Sequence, residues 1–103
     1  MSVTLRVIQR FDIRQQREFL ELEKLFAQLE RKRPDYVKGR RLKPIASAEP
    51  VNTLIWEGEF TGLEEAQRWL EFLEADGDHS DLLARQQPYF EAVRFEFYEN
   101  LDY

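Results

Sequence analysis

The chain of 103 residues contains no cysteine, one histidine (His79), one methionine, four glycines and four prolines. Without Cys there is no disulfide, no thiolate nucleophile and no thiolate metal site. A single imidazole among scattered carboxylates gives none of the ligand spacings of a zinc centre, and four scattered Gly form no phosphate-binding loop. The expectation is therefore a chain with no metal set and no bound cofactor. No run approaches the ~18 consecutive apolar residues of a membrane span, and Met1 to Arg6 lacks the basic-then-apolar order of a secretory leader. These absences predict a cytoplasmic protein that makes no use of a membrane.

What is present is enough to fold. Hydrophobic residues make up 43% of the chain, with eight Phe, four Tyr and two Trp, a composition that argues against disorder. About 100 residues is the size of one domain, residues 1–103, with one modest core. The net charge of −5 conceals an asymmetry: Met1 to Ile45 carries twelve Lys/Arg against six Asp/Glu, and Ala46 to Tyr103 carries three against fourteen. The two halves should pair within one fold, or present opposite surfaces that guide self-association or attract an anion to the basic half.

One pattern, strand then helix then strand, is written twice. Val3, Leu5, Val7 and Phe11 alternate with Thr4, Arg6, Ile8 and Arg10 as a strand requires. Asp12 with Gln15 offers a helix cap, and Phe19, Leu22, Phe26 and Leu29 follow at helical spacing until Pro34. Gly39 to Ala46 reads as a second strand, placed at a sheet edge by Pro44. Asn52 to Phe60 is a third strand, and Thr61 with Glu64 has capping-box spacing. The next helix carries Leu63, Ala66, Leu70 and Leu73, and Gly77 is expected to end it through a positive φ. A short helix over 78–87 precedes a last strand in which Val93, Phe95 and Phe97 oppose Arg94, Glu96 and Tyr98.

The order βαββαβ predicts an α+β, ferredoxin-like antiparallel sheet with helices on one face. The other face would carry Arg6, Arg10, Glu57, Glu59, Arg94, Glu96 and Tyr98 around Ile8 and Ile55. Arg10 and Glu57 are the expected ion pair.

The third strand Asn52–Phe60, the helix entry from Thr61 to Ala66, and Tyr89-Phe90 leading into Val93–Glu99 resemble the dimeric α+β barrel superfamily. The resemblance is to its NIPSNAP-like and antibiotic-biosynthesis-monooxygenase-like branches and covers nearly the whole chain. It implies a homodimeric α/β barrel, two ferredoxin-like protomers packed sheet against sheet. It also brings in cofactor-free oxygenases and haem-degrading enzymes as relatives. The function expected is small-molecule binding in the cleft between sheet and helices. The alternative is a cofactor-free or haem-linked monooxygenase acting on an aromatic substrate.

Seven residues are candidates for that pocket. Trp56, Trp69, Tyr89 and Tyr98 could form its walls, with Arg6 or Arg10 fixing an acidic or phenolic group by charge-assisted hydrogen bonds. Large aromatics at such spacing also build cores, and the two Trp read first as core. His79 is the remaining candidate, although Asp78-His79-Ser80-Asp81 reads as an exposed helix entry. Nucleic acid is not expected as a partner. The predicted open face lacks a stacking platform of aromatics, and the acidic second half would repel phosphate.

Overall fold

The computed structural model describes residues 1–103. Strands β1 (Val3–Phe11), β2 (Arg40–Leu42), β3 (Thr53–Phe60) and β4 (Phe90–Glu99) form one sheet in the order β2-β3-β1-β4, every neighbouring pair antiparallel. Helices α1 (Gln16–Lys32), α2 (Leu63–Ala75) and α3 (Gly77–Gln86) complete the α+β, ferredoxin-like architecture that the sequence pattern predicts. No helix is long and apolar enough to cross a membrane.

Strand parity sorts the side chains. Leu5, Val7 and Gln9 stand opposite Gly58, Trp56 and Leu54 of β3 and opposite Phe97, Phe95 and Val93 of β4, all on the helix side. Arg6, Ile8 and Arg10 stand on the other face, where Arg6 is opposite Glu57 and Arg10 opposite Thr53. Arg6 Nε therefore meets Glu57 at 3.5 Å, and Arg10 turns to Glu91 at 3.3 Å. The expected Arg10–Glu57 pair is corrected by this register, four residues from where it would have to run. The two halves of opposite charge do pair, through Arg6–Glu57, Arg40–Glu57 and Arg33–Asp76 among others.

Helix boundaries also depart from expectation in places. Asp12 caps a short 3₁₀ turn, accepting from the Arg14 amide at 3.0 Å, and α1 begins only after it. Thr61 does not pair with Glu64. Because α2 starts at Leu63, Glu65 is the third helical residue, and its carboxylate reaches back to accept from Thr61 Oγ1 at 2.5 Å. Gly77 has no positive φ. Asp76 ends α2 and caps α3 in one residue, accepting from the His79 amide at 3.1 Å. The second strand shrinks to three residues before Pro44, at the sheet edge as that proline requires.

The buried apolar residues fall into two clusters. Leu5, Tyr36, Trp56, Phe60, Ala66 and Trp69 form one. Phe11, Phe19 and Leu54 form the other, with the Phe11 and Phe19 rings stacked at 4.5 Å. β4 lies beyond the helices' reach along much of its length, leaving Phe95 51% exposed on the side where β1 is covered.

Candidate functional site

Between the two clusters lies a cavity of about 520 Å³, walled by the sheet, α1, α2 and α3. Val7, Phe26, Trp56, Trp69, Leu70 and Leu83 supply much of its apolar lining. The two indoles lie nearly parallel, centroids 6.4 Å apart and planes at 23°.

One wall is polar, and its construction begins in α1. Glu23 and Glu30 are seven residues apart, two helical turns, so they share the face of Phe19, Phe26 and Leu29. Both carboxylates are consequently buried. Arg41 stands opposite Trp56 in register and points to the same side. Its Nε donates to Glu23 Oε2 at 2.8 Å and its Nη1 to Glu30 Oε2 at 2.6 Å. Burial works against the Arg41 charge, but its hydrogen bonds to both carboxylates and their negative charge prevail and hold its pKa above the usual value. The remaining oxygens are also satisfied. Glu30 Oε1 accepts from Trp56 Nε1 at 3.2 Å and from the Gly39 amide at 2.7 Å, and Glu23 Oε1 accepts from Gln86 Nε2 at 3.1 Å. A continuous hydrogen-bonded chain thus runs from Trp56 through Glu30, Arg41 and Glu23 to Gln86. Such a cluster is costly to desolvate and fixes geometry more than it adds stability.

His79 corrects the reading of an exposed helix entry. Its amide is capped by Asp76, as an entry residue's should be. The ring, however, turns inward to line the cavity, 5.2 Å from the Phe26 ring centroid. Loss of solvation lowers its pKa, with the Asp76 charge opposing. The α2–α3 junction that aims it is held from α1: Arg33 Nη2 donates to Asp76 Oδ1 at 2.9 Å, and the Tyr36 hydroxyl donates to the same carboxylate. These bonds hold Asp76 down to about 2.

Of the seven sequence candidates, the cavity brings together Trp56, Trp69 and His79. Arg6, Arg10 and Tyr98 stand on the opposite sheet face, because their even positions on β1 and β4 point away from the helices. There the Arg6 guanidinium lies 5.2 Å from the Tyr98 ring centroid. Tyr89 packs beside the Phe11–Phe19 cluster and borders a shallower surface depression with Arg17 and Arg85. Glu23, Glu30, Arg41 and Gln86 were missed, since charged residues on a helix and on an edge strand read as solvated. The phase of Glu23 and Glu30 with the apolar stripe of α1 is the signal that could have found them.

Two open-ended βαβ units interleaved in one antiparallel sheet, with a cavity under the helices, define an α+β protein of ferredoxin-like class. Its structural neighbours are NIPSNAP family proteins and proteins like the antibiotic biosynthesis monooxygenases. A NIPSNAP family protein from Agrobacterium tumefaciens superposes with a TM-score of 0.80 at 13% identity, over 99% of this chain and 88% of its own. A NIPSNAP domain protein from Burkholderia xenovorans gives 0.79 at 18% identity, over 100% and 97%. A protein provisionally named antibiotic biosynthesis monooxygenase, from Nitrosomonas europaea, gives 0.70 at 12% identity, over 98% and 91%. Identities this low carry the fold and not the residues of a site. No family model and no curated protein sequence matches the chain.

Proposed function

We propose that this protein binds a small, largely apolar molecule in the cavity between sheet and helices, and that it works as a homodimer joined through the sheet face away from the helices. The cavity carries the reading. Its volume of about 520 Å³ lies within the ~300–1,000 Å³ of small-molecule sites, and a mainly apolar lining with a few fixed polar groups is their usual make-up. The cluster of Glu23, Arg41 and Glu30 supports it further, because a core filled only for stability would not need buried ions. For the dimer, the support is the half-buried Ile55 set among charges already matched within the chain, such as Arg6 with Glu57.

Calorimetric titration of the whole chain with 2-naphthalenemethanol tests the cavity, with Leu83→Trp as the filled control. Binding should be lost in the filled variant; equal binding by both proteins would place the ligand elsewhere. Sedimentation at tens of micromolar should give the mass of two chains, and a monomer would remove the dimer from the proposal.

A second reading, cofactor-free oxygenation of an electron-rich phenol, is favoured by one observation: an imidazole whose pKa is lowered by loss of solvation faces the cavity and could take a phenolic proton. Oxygen uptake with a phenolic substrate, abolished in His79→Ala, tests it.

A further inference from the structure

We infer that the cavity discriminates by charge, accepting ligands whose polar head is uncharged or cationic and rejecting carboxylates. This rests on the cavity-binding reading above and specifies the chemistry of the ligand. Four carboxylates, Glu23, Glu30, Glu71 and Glu74, line the cavity against one guanidinium, Arg41. That guanidinium is already held by two of the four, at 2.8 and 2.6 Å. An entering carboxylate would have to compete with Glu23 and Glu30 for it and would lie against like charge in a poorly solvated space. The other cations that could greet an acid, Arg6 and Arg10, are across the sheet.

What the wall does offer is neutral hydrogen-bonding capacity. Gln9 is 8% exposed, lines the cavity, and its amide has no hydrogen-bond partner within the chain. Gln86 is 1% exposed; its Nε2 is used on Glu23 and the Phe19 carbonyl, leaving Oε1 as a free acceptor. Both side chains line a space that a group supplied from outside the chain can enter. An amine, alcohol or amide head can donate to a side-chain amide oxygen of Gln9 or Gln86, and the indole faces of Trp56 and Trp69 favour a cation over an anion.

Three naphthalene probes of one shape separate the possibilities: 2-naphthylmethylamine, 2-naphthalenemethanol and 2-naphthoate, titrated into the full chain at pH 7.5. The amine and the alcohol should bind, and naphthoate should bind about tenfold more weakly or worse. The exposed rim gives the second arm. In Glu71→Lys/Glu74→Lys, naphthoate should tighten about threefold or more relative to the alcohol. Naphthoate binding as tightly as the alcohol overturns the charge selection and leaves the cavity reading standing, as does a rim reversal that leaves naphthoate unmoved. If none of the three probes binds, both readings fall together.

Discussion

Trp56 and Gly58 are two residues apart on the same face of β3, and the indole lies flat over the glycine: a Cβ built on Gly58 would sit 2.4 Å from the ring carbon Cη2. Gly39, next along from the Arg40–Glu57 pair, lies against the same ring, and a Cβ there would fall 2.3 Å from Cε2. Trp56 is thus packed against two bare backbones while its Nε1 is bound to Glu30.

Gly39→Ala and Gly58→Ala should each displace the indole and destabilise the protein by about 1–3 kcal/mol, the range for overpacking. Gly77→Ala is the contrast, since nothing lies within 4 Å of its would-be Cβ and it opens α3 with ordinary backbone angles. It should stabilise by about 0.4–1 kcal/mol, through the entropy of the unfolded chain. Urea unfolding of the three variants checks both signs.

Removing Arg41 alone should be severe. Arg41→Ala leaves Glu23 and Glu30 buried without their shared cation, at about 3–5 kcal/mol by denaturant unfolding. The triple variant Arg41→Met/Glu23→Gln/Glu30→Gln should recover part of that loss, because no uncompensated charge remains. A triple variant less stable than Arg41→Ala would show that the cluster acts by shape and not by charge.

His79 should give stability a pH dependence just below neutrality. Burial lowers its pKa in the folded chain, so the unfolded chain binds the proton first. Stability is then full above about pH 6.5 and falls as the pH drops through that value, levelling off once the folded imidazole also protonates. Thermal unfolding between pH 5 and 8 should show this slope, and His79→Gln should flatten it.

Asp76 acts lower on the scale. Its folded pKa of about 2 lies below its ordinary value of 3.8, chiefly through the Arg33 and Tyr36 hydrogen bonds. Its contribution is present above about pH 4 and is lost as pH falls toward 2. In Asp76→Asn the acid limb of the stability curve should lose steepness, and the α3 cap should weaken with it.

The strands and helices were legible because their periods are strong: Val3, Leu5 and Val7 alternate with Thr4 and Arg6, and Phe19 to Leu29 keeps helical phase. Boundaries were less so. Thr61–Glu64 and Thr61–Glu65 differ by one residue in where the helix starts, and Asp76 could be identified as a shared cap only once both helices were placed. The site was half visible. Trp56 and Trp69 stand out by bulk, but Arg6 and Arg10 were drawn toward the pocket by their charge although the parity of β1 puts them on the far face. Glu23 could have been read from its phase with the apolar stripe of α1, but Arg41 could not, since its burial depends on a partner 18 residues away.

Helix α3 is fastened to α1 at both ends, at its start through Asp76 to Arg33 and at its finish through Gln86 to Glu23. The frame of the cavity is therefore set by a fixed stretch of α1, while the residues of α3 between the fastenings are free to vary within it. A residue inserted there would rotate the later part by about 100° and carry Gln86 off Glu23. A change of side chain at Leu83 resizes the chamber and leaves both fastenings in place. The segment between the fastenings is accordingly open to substitution and closed to changes in length, so chains that keep both fastenings should keep the interval from Asp76 to Gln86 constant.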